Sequence, residues 1–332
     1  MIQDILMIAL SLAIILLSCF LFTNGIEWFG KRLNLGEGVV GSVFAAIGTA
    51  LPETIIPIIA IFFYHGQKAH DIGIGAIAGA PFMLASLAFF VTGFAVIIYT
   101  LFKKRTLKMS VDISVISRDL SFFIAIYGVA VLTTFLQNYK TLKFVIAILL
   151  LLSYLLYLKK TFQDECEKCE VVNDLHIAKF LRLKPNILWI VIQLLISLIV
   201  IIVSASIFVK YTEDLSNILG IAPLILSIII TPIATELPEK LNSIIWIGMK
   251  RDTLALGNIT GAMVFQSCFP VVFGILFTPW NLTGITMISA IIALLAATLN
   301  LLWVKIKKTV NPFVLLFGGV LYAIFLLAVL YS

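Results

Sequence analysis

Charge is scarce in this chain. Asp, Glu, Lys and Arg make up 12% of its 332 residues, against 61% hydrophobic ones. That balance places it among polytopic helical membrane proteins. Histidine is scarcer still. His65, His70 and His176 all fall in connecting segments, which argues against a zinc-type site of nitrogen and sulfur ligands at membrane depth. Of the four cysteines, Cys19 and Cys268 lie in apolar runs and read as packing residues. Cys166 and Cys169 form a CxxC near His176 without an evident fourth ligand, so an ordinary reduced loop is the reading. The apolar segments are continuous rather than alternating, which excludes a β-barrel. Met1–Leu21 has no basic n-region and reads as a span rather than a cleaved signal. The net charge of +6 is no nucleic-acid footprint, because its distribution follows the apolar runs.

Those runs predict ten spans, at about 4–24, 38–63, 72–101, 119–136, 142–159, 187–209, 219–248, 253–278, 282–304 and 311–331. Basic residues then divide the connections. Lys31 and Arg32, the group from Lys103 to Arg118, the group from Lys159 to Lys184, Lys250 and Arg251, and Lys305, Lys307 and Lys308 fall on one side. They are all but five of the 23. The positive-inside rule therefore predicts a multi-pass protein of the cell membrane, with both termini outside and the 160–184 loop cytoplasmic.

One polar phrase occurs twice inside apolar surroundings. Gly48-Thr49-Ala50-Leu51-Pro52-Glu53-Thr54 is answered by Ala234-Thr235-Glu236-Leu237-Pro238-Glu239-Lys240. At the same offset Ser11 aligns with Ser197, Ser18 with Ser204, Phe22 with Phe208 and Glu27 with Glu213. After a slip of register, explained by a shorter connection in the second copy, Gly75 aligns with Gly257 and Gly79-Ala80 with Gly261-Ala262. The expected organisation is a first five-helix repeat over 1–159 with its motif at 48–54, a linker loop over 160–184, and a second repeat over 185–332 with its motif at 234–240. Five spans is an odd number, so the second copy threads the bilayer oppositely. The fold class is thus an all-α polytopic membrane protein of ten transmembrane helices, arranged as two inverted repeats.

An intramembrane carboxylate is a functional candidate by default. Inversion brings Glu53 and Glu239 to a common depth. Proline within each phrase removes a backbone N–H and frees the carbonyls of Gly48 and Ala234. Each copy thereby offers a backbone oxygen, a hydroxyl (Thr49, Thr235) and a carboxylate. The next span of the second copy adds Asn258, Thr260, Gln266 and Ser267 as possible oxygen donors, where the first copy has Ala76 and Leu84 opposite Asn258 and Gln266. Such oxygens suit Ca2+ or Na+. Glu236 and Lys240 break the symmetry. They either form a neutralised structural pair, or Glu236 is a third ligand and Lys240 a tethered cation that fills the emptied site.

These residues resemble the calcium/cation antiporter superfamily, in particular its sodium/calcium exchanger branch. Gly48–Glu53 is similar to the family's GTSLPE motif, Ala234–Glu239 to its second copy, and Leu256-Gly257-Asn258-Ile259-Thr260-Gly261 to its GN-x-x-G phrase. The resemblance covers nearly the whole chain. It implies exchange of Ca2+ for Na+ or H+, with Glu53, Glu239, Thr49 and Thr235 among the ligands. It implies no enzymatic activity and no cofactor beyond the transported ions, with membrane lipid and inorganic cations as the partners. The chain departs from the family at Ala50 and Glu236, where the family has serine. It departs again at Ala80 and Ala262, and at Leu84 and Gln266. Glu236 retains the carboxylate count, while the sodium sites look impoverished. Exchange of a divalent other than calcium, a cation channel, and a sensor acting through the Lys159–Lys184 loop are the alternatives. Oligomeric state is left open.

Overall fold

The computed structural model describes residues 2–32, 43, 47, 50–63, 67–163, 174–180, 182–220, 222, 224–225, 227–229, 232 and 236–330. In chain order its elements are α1 (Ile2–Arg32), α2 (Leu51–Phe63), α3 (Gln67–Met83), a π turn (Leu84–Ala88), α4 (Phe89–Leu101), α5 (Ile113–Leu132) ending in a 3-10 turn (Thr133–Phe135), α6 (Lys140–Gln163), α7 (His176–Phe180), α8 (Ile187–Leu219), α9 (Leu237–Gly248), α10 (Asp252–Phe277), α11 (Gly284–Lys307) and α12 (Pro312–Leu330). Among the described residues there is no strand. Eight helical stretches among them are long and apolar enough to cross a membrane, and Glu53–Phe63 is a shorter apolar helix. The eight coincide with eight of the expected spans. The other two, 38–63 and 219–248, lie partly outside the described residues, with α2 and α9 at their C-terminal ends.

Several helices run past the expected boundaries. α5 starts at Ile113 because the Asp112 side chain accepts the Ser114 N–H at its N-terminus. α8 is capped by Asn186, which accepts the Trp189 N–H at 3.0 Å, and it stops at Gly220, whose φ of 66° suits glycine.

The helices form an inner bundle with a flanking pair. α10 is the hub, with 83% of its apolar window buried, and it packs against α2, α3, α5, α6 and α9. α1 and α8 lie along each other; they bury only 29% and 28% of theirs, as α6 and α12 do at 28% each, the pattern of helices facing lipid. The four serines paired by the repeat, Ser11, Ser18, Ser197 and Ser204, are all buried. At one end of this pair, Gln193 donates to the Leu21 carbonyl at 2.6 Å and to Asn24 Oδ1 at 3.0 Å, and it accepts the Ile177 N–H at 2.9 Å. The C-terminal part of the linker is thereby docked: Leu175 and Ala178 are fully buried, grouped with Ile190 and with Trp28 and Trp189. At the other end of α8, Lys68 of α3 donates to Asn217.

Lipid tails offer no hydrophobic drive between helices, so close backbone approach has to supply the packing. α3 does this with glycine. A Cβ on Gly75 would lie 2.8 Å from the Leu224 carbonyl oxygen, and one on Gly79 would lie 2.7 Å from Pro232 Cγ. The Ser227 hydroxyl donates to the Ile72 carbonyl across the same seam at 2.7 Å. This contact joins the third span of the first copy to the stretch leading into the second motif.

Candidate ion-binding site

Both motif helices open on the same three residues. α2 begins Leu51-Pro52-Glu53 and α9 begins Leu237-Pro238-Glu239. The prolines therefore stand in first turns, where a missing N–H leaves no ladder bond unmade. This differs from the expected helix-interior position, and the reason is local: with Glu236 at its N-cap (φ −84°, ψ 6°), α9 starts at the motif instead of running through it. A helix N-terminus is the favourable end for a carboxylate, because unsatisfied N–H groups give it partial positive charge.

Glu53 is 1% exposed and Glu236 is 0% exposed. Lys240, one turn along α9, is also buried, and its Nζ stands 3.5 Å from Glu236 Oε2. Tyr322 of α12, stacked on Phe82, is an electrostatic neighbour of Glu236. No motif signalled that residue. Gly48, Thr49, Ala234 and Thr235 lie outside the described residues, as does the Glu239 side chain, so the separation of Glu53 from Glu239 is not described. Cys166 and Cys169 also lie outside them. Among the described residues no group of three or more His, Cys, Asp or Glu gathers as a metal cage.

α10 supplies the amides. Asn258 and Gln266 are both fully buried and stand a little over two turns apart, so they share one side of the helix. Neither amide atom of Gln266 has a hydrogen-bond partner among the described residues. A buried amide without a partner costs about 1–3 kcal/mol, so a ligand that engages it is favoured. Thr260 and Ser267 have other bonds. Thr260 donates to Asp119 Oδ2 of α5 at 2.8 Å, and Ser267 donates to the Val264 carbonyl at 2.8 Å.

Two further buried charge pairs brace the hub, and sequence reading missed both. Asp119, fully buried, is 3.0 Å from Arg118 Nη2 as well as bonded to Thr260. Asp252, at the start of α10, receives both Arg105 guanidinium nitrogens at 2.7 Å and the Ser110 N–H at 2.8 Å. Bidentate geometry with a third donor is what lets a carboxylate leave water.

The family model described as Sodium/calcium exchanger protein matches residues 4–160 and 189–332. Uncharacterized membrane protein MJ0091 of Methanocaldococcus jannaschii is 23% identical over 278 residues, 82% of this chain and 83% of that one. Sodium/potassium/calcium exchanger 4 of Homo sapiens is 37% identical over 59 residues, which are 18% of this chain and 9% of the human protein. Among solved structures, the H+/Ca2+ exchanger CAX superposes with a TM-score of 0.75 at 15% identity, over 99% of this chain and 82% of that one. The sodium-calcium exchanger NCX_Mj superposes with a TM-score of 0.64 at 21% identity, over 97% of each chain. Both share this chain's helical fold.

Proposed function

This chain belongs to the sodium/calcium exchanger protein family, and from that premise we propose that it is a secondary active cation antiporter. It exchanges Ca2+, or a related divalent cation, for Na+ or H+ by alternating access to carboxylates near the bilayer midplane. Ten helices in two inverted repeats carry the site, with both termini outside and the 160–184 loop cytoplasmic. The observation that carries this reading is the deep burial of Glu53, in the first turn of α2, and Glu236, at the N-cap of α9, at 1% and 0% exposure, where both helices pack on the amide-bearing hub α10. Glu53, Glu239 and Glu236 are the acidic ligands. Oxygens drawn from Gly48, Thr49, Ala234, Thr235, Asn258 and Gln266 complete the shell; with the acids these are nine candidate residues, enough to furnish the six to eight oxygens that Ca2+ takes.

The charge count suits a divalent cation. Glu53 contributes one negative charge, and Glu236, Glu239 and Lys240 together contribute one more. A single divalent ion neutralises that sum, and so do two monovalent ones. In this reading Lys240 sets the total, and it keeps the emptied site from carrying three unbalanced charges through the dry closed state.

The test is flux in proteoliposomes with Na+ and pH gradients imposed independently. Glu53→Gln and Glu239→Gln are expected to weaken exchange roughly a hundredfold, the equivalent of about 3 kcal/mol of lost ion binding. Full exchange by both variants overturns the site assignment. Uptake that follows the pH gradient alone, or the Na+ gradient alone, identifies the counter-ion. A rate that is insensitive to membrane potential is expected from the charge count.

A further inference from the structure

Away from the carboxylates, the loop between α4 and α5 and the turn between α9 and α10 line an open surface cavity of about 880 Å3. Lys103, Lys104, Lys108 and Lys250 line it. Its one acid is already neutralised: Asp252 holds the Arg105 guanidinium through both oxygens at 2.7 Å. Arg105 also donates to the carbonyls of Thr106, Lys108 and Ile247, so the wall is tied down from both sides. None of the four lysines has an ion-pair partner among the described residues.

Backbone conformation supplies a second observation. Lys103 and Lys250 have φ of 57° and 61°, in the left-handed region. A non-glycine residue there costs roughly 1–2 kcal/mol, and a cation near a helix C-terminus recovers only about 0.3–1 kcal/mol. Arg182 and Lys308 share this conformation elsewhere; Lys103 and Lys250 differ from them in lining one cavity together. Exposed Leu101, Phe102 and Leu107 stand beside them, at 71%, 71% and 41% exposure, as an apolar rim.

From this we propose that the cavity binds a phosphate group, with the lysines as point charges around it. An anionic phospholipid headgroup with its acyl chains over the apolar rim is one source, and a soluble polyphosphate is the other. The site lies apart from the transport carboxylates, so it stands or falls separately from the ion assignment.

The decisive variant is Lys103→Gly with Lys250→Gly in the full-length protein, because it removes charge while relieving backbone strain. One arm measures phosphatidylglycerol retained against phosphatidylcholine by native mass spectrometry. The other measures the rise in melting temperature given by inorganic pyrophosphate in a neutral detergent. Lys305→Gln with Lys307→Gln is the control for general surface charge. The glycine variant is expected to melt no lower than the parent and to retain about tenfold less phosphatidylglycerol, with the control unchanged. Loss of the pyrophosphate shift alone supports the soluble source. Should the glycine variant fail to fold, Lys104→Gln is the substitute, with roughly threefold as the expected change. Behaviour equal to the control in both arms overturns the site.

Discussion

Thr54 and Lys240 occupy the same step of the two motifs and close it differently. In the first copy the Thr54 hydroxyl donates to the Ala50 carbonyl at 2.9 Å, a bond contained within one turn. In the second, Lys240 lies 3.5 Å from the Glu236 carboxylate, and both are almost wholly buried. One copy is neutral at this step and the other carries a matched pair, so the formal charge per motif is the same. Repetition of the backbone thus does not demand repetition of the side chains. What the two motif sequences keep in common is their net formal charge.

The largest test of that comparison breaks the pair on one side. Glu236→Ala leaves a buried ammonium uncompensated and is expected to cost about 3–5 kcal/mol in thermal or denaturant unfolding. Glu236→Ala with Lys240→Thr makes the second copy imitate the first and is expected to recover most of that loss. The double-mutant cycle in stability measures the coupling, and additive effects would show that the pair is not one unit. Next in size is Gly79→Ala. The new methyl group meets Pro232 and the Ile228 carbonyl at 2.7 and 2.8 Å, and it is expected to cost about 1–3 kcal/mol in the same assay. Gln266→Leu converts a second-copy residue to its first-copy counterpart Leu84. It is expected to raise stability by about 1 kcal/mol, since an unpartnered buried amide is lost, while slowing flux in proteoliposomes. Smallest is Thr54→Val, expected to cost about 0.5–1 kcal/mol with exchange retained.

How much of this was legible in the sequence depends on which residue is asked. The apolar run of α10 and the burial of Asn258 and Gln266 followed from hydropathy and from polar side chains set within it. Glu53 and Glu236 stand out as carboxylates set in apolar stretches, where they are costly to hold, and both are buried. Arg118 reads in the sequence only as part of a basic connecting group, and the structure pairs it with Asp119 inside α5, six residues beyond the helix start at Ile113. Their partner Thr260 comes from a helix far along the chain, and no local pattern predicts such a meeting. The same holds for Arg105 and Asp252. Each looks like an ordinary loop or helix-end charge until the fold brings the two together.

The docking of the linker has a consequence for assembly. Gln193 and Asn24 bind across the two long flanking helices, and the hub α10 is surrounded by helices from the first half. Lateral bonds of this kind join residues from either side of 164–173. A gene split within the codons for 164–173 should therefore yield two fragments that find one another in the same membrane and co-purify as a working unit.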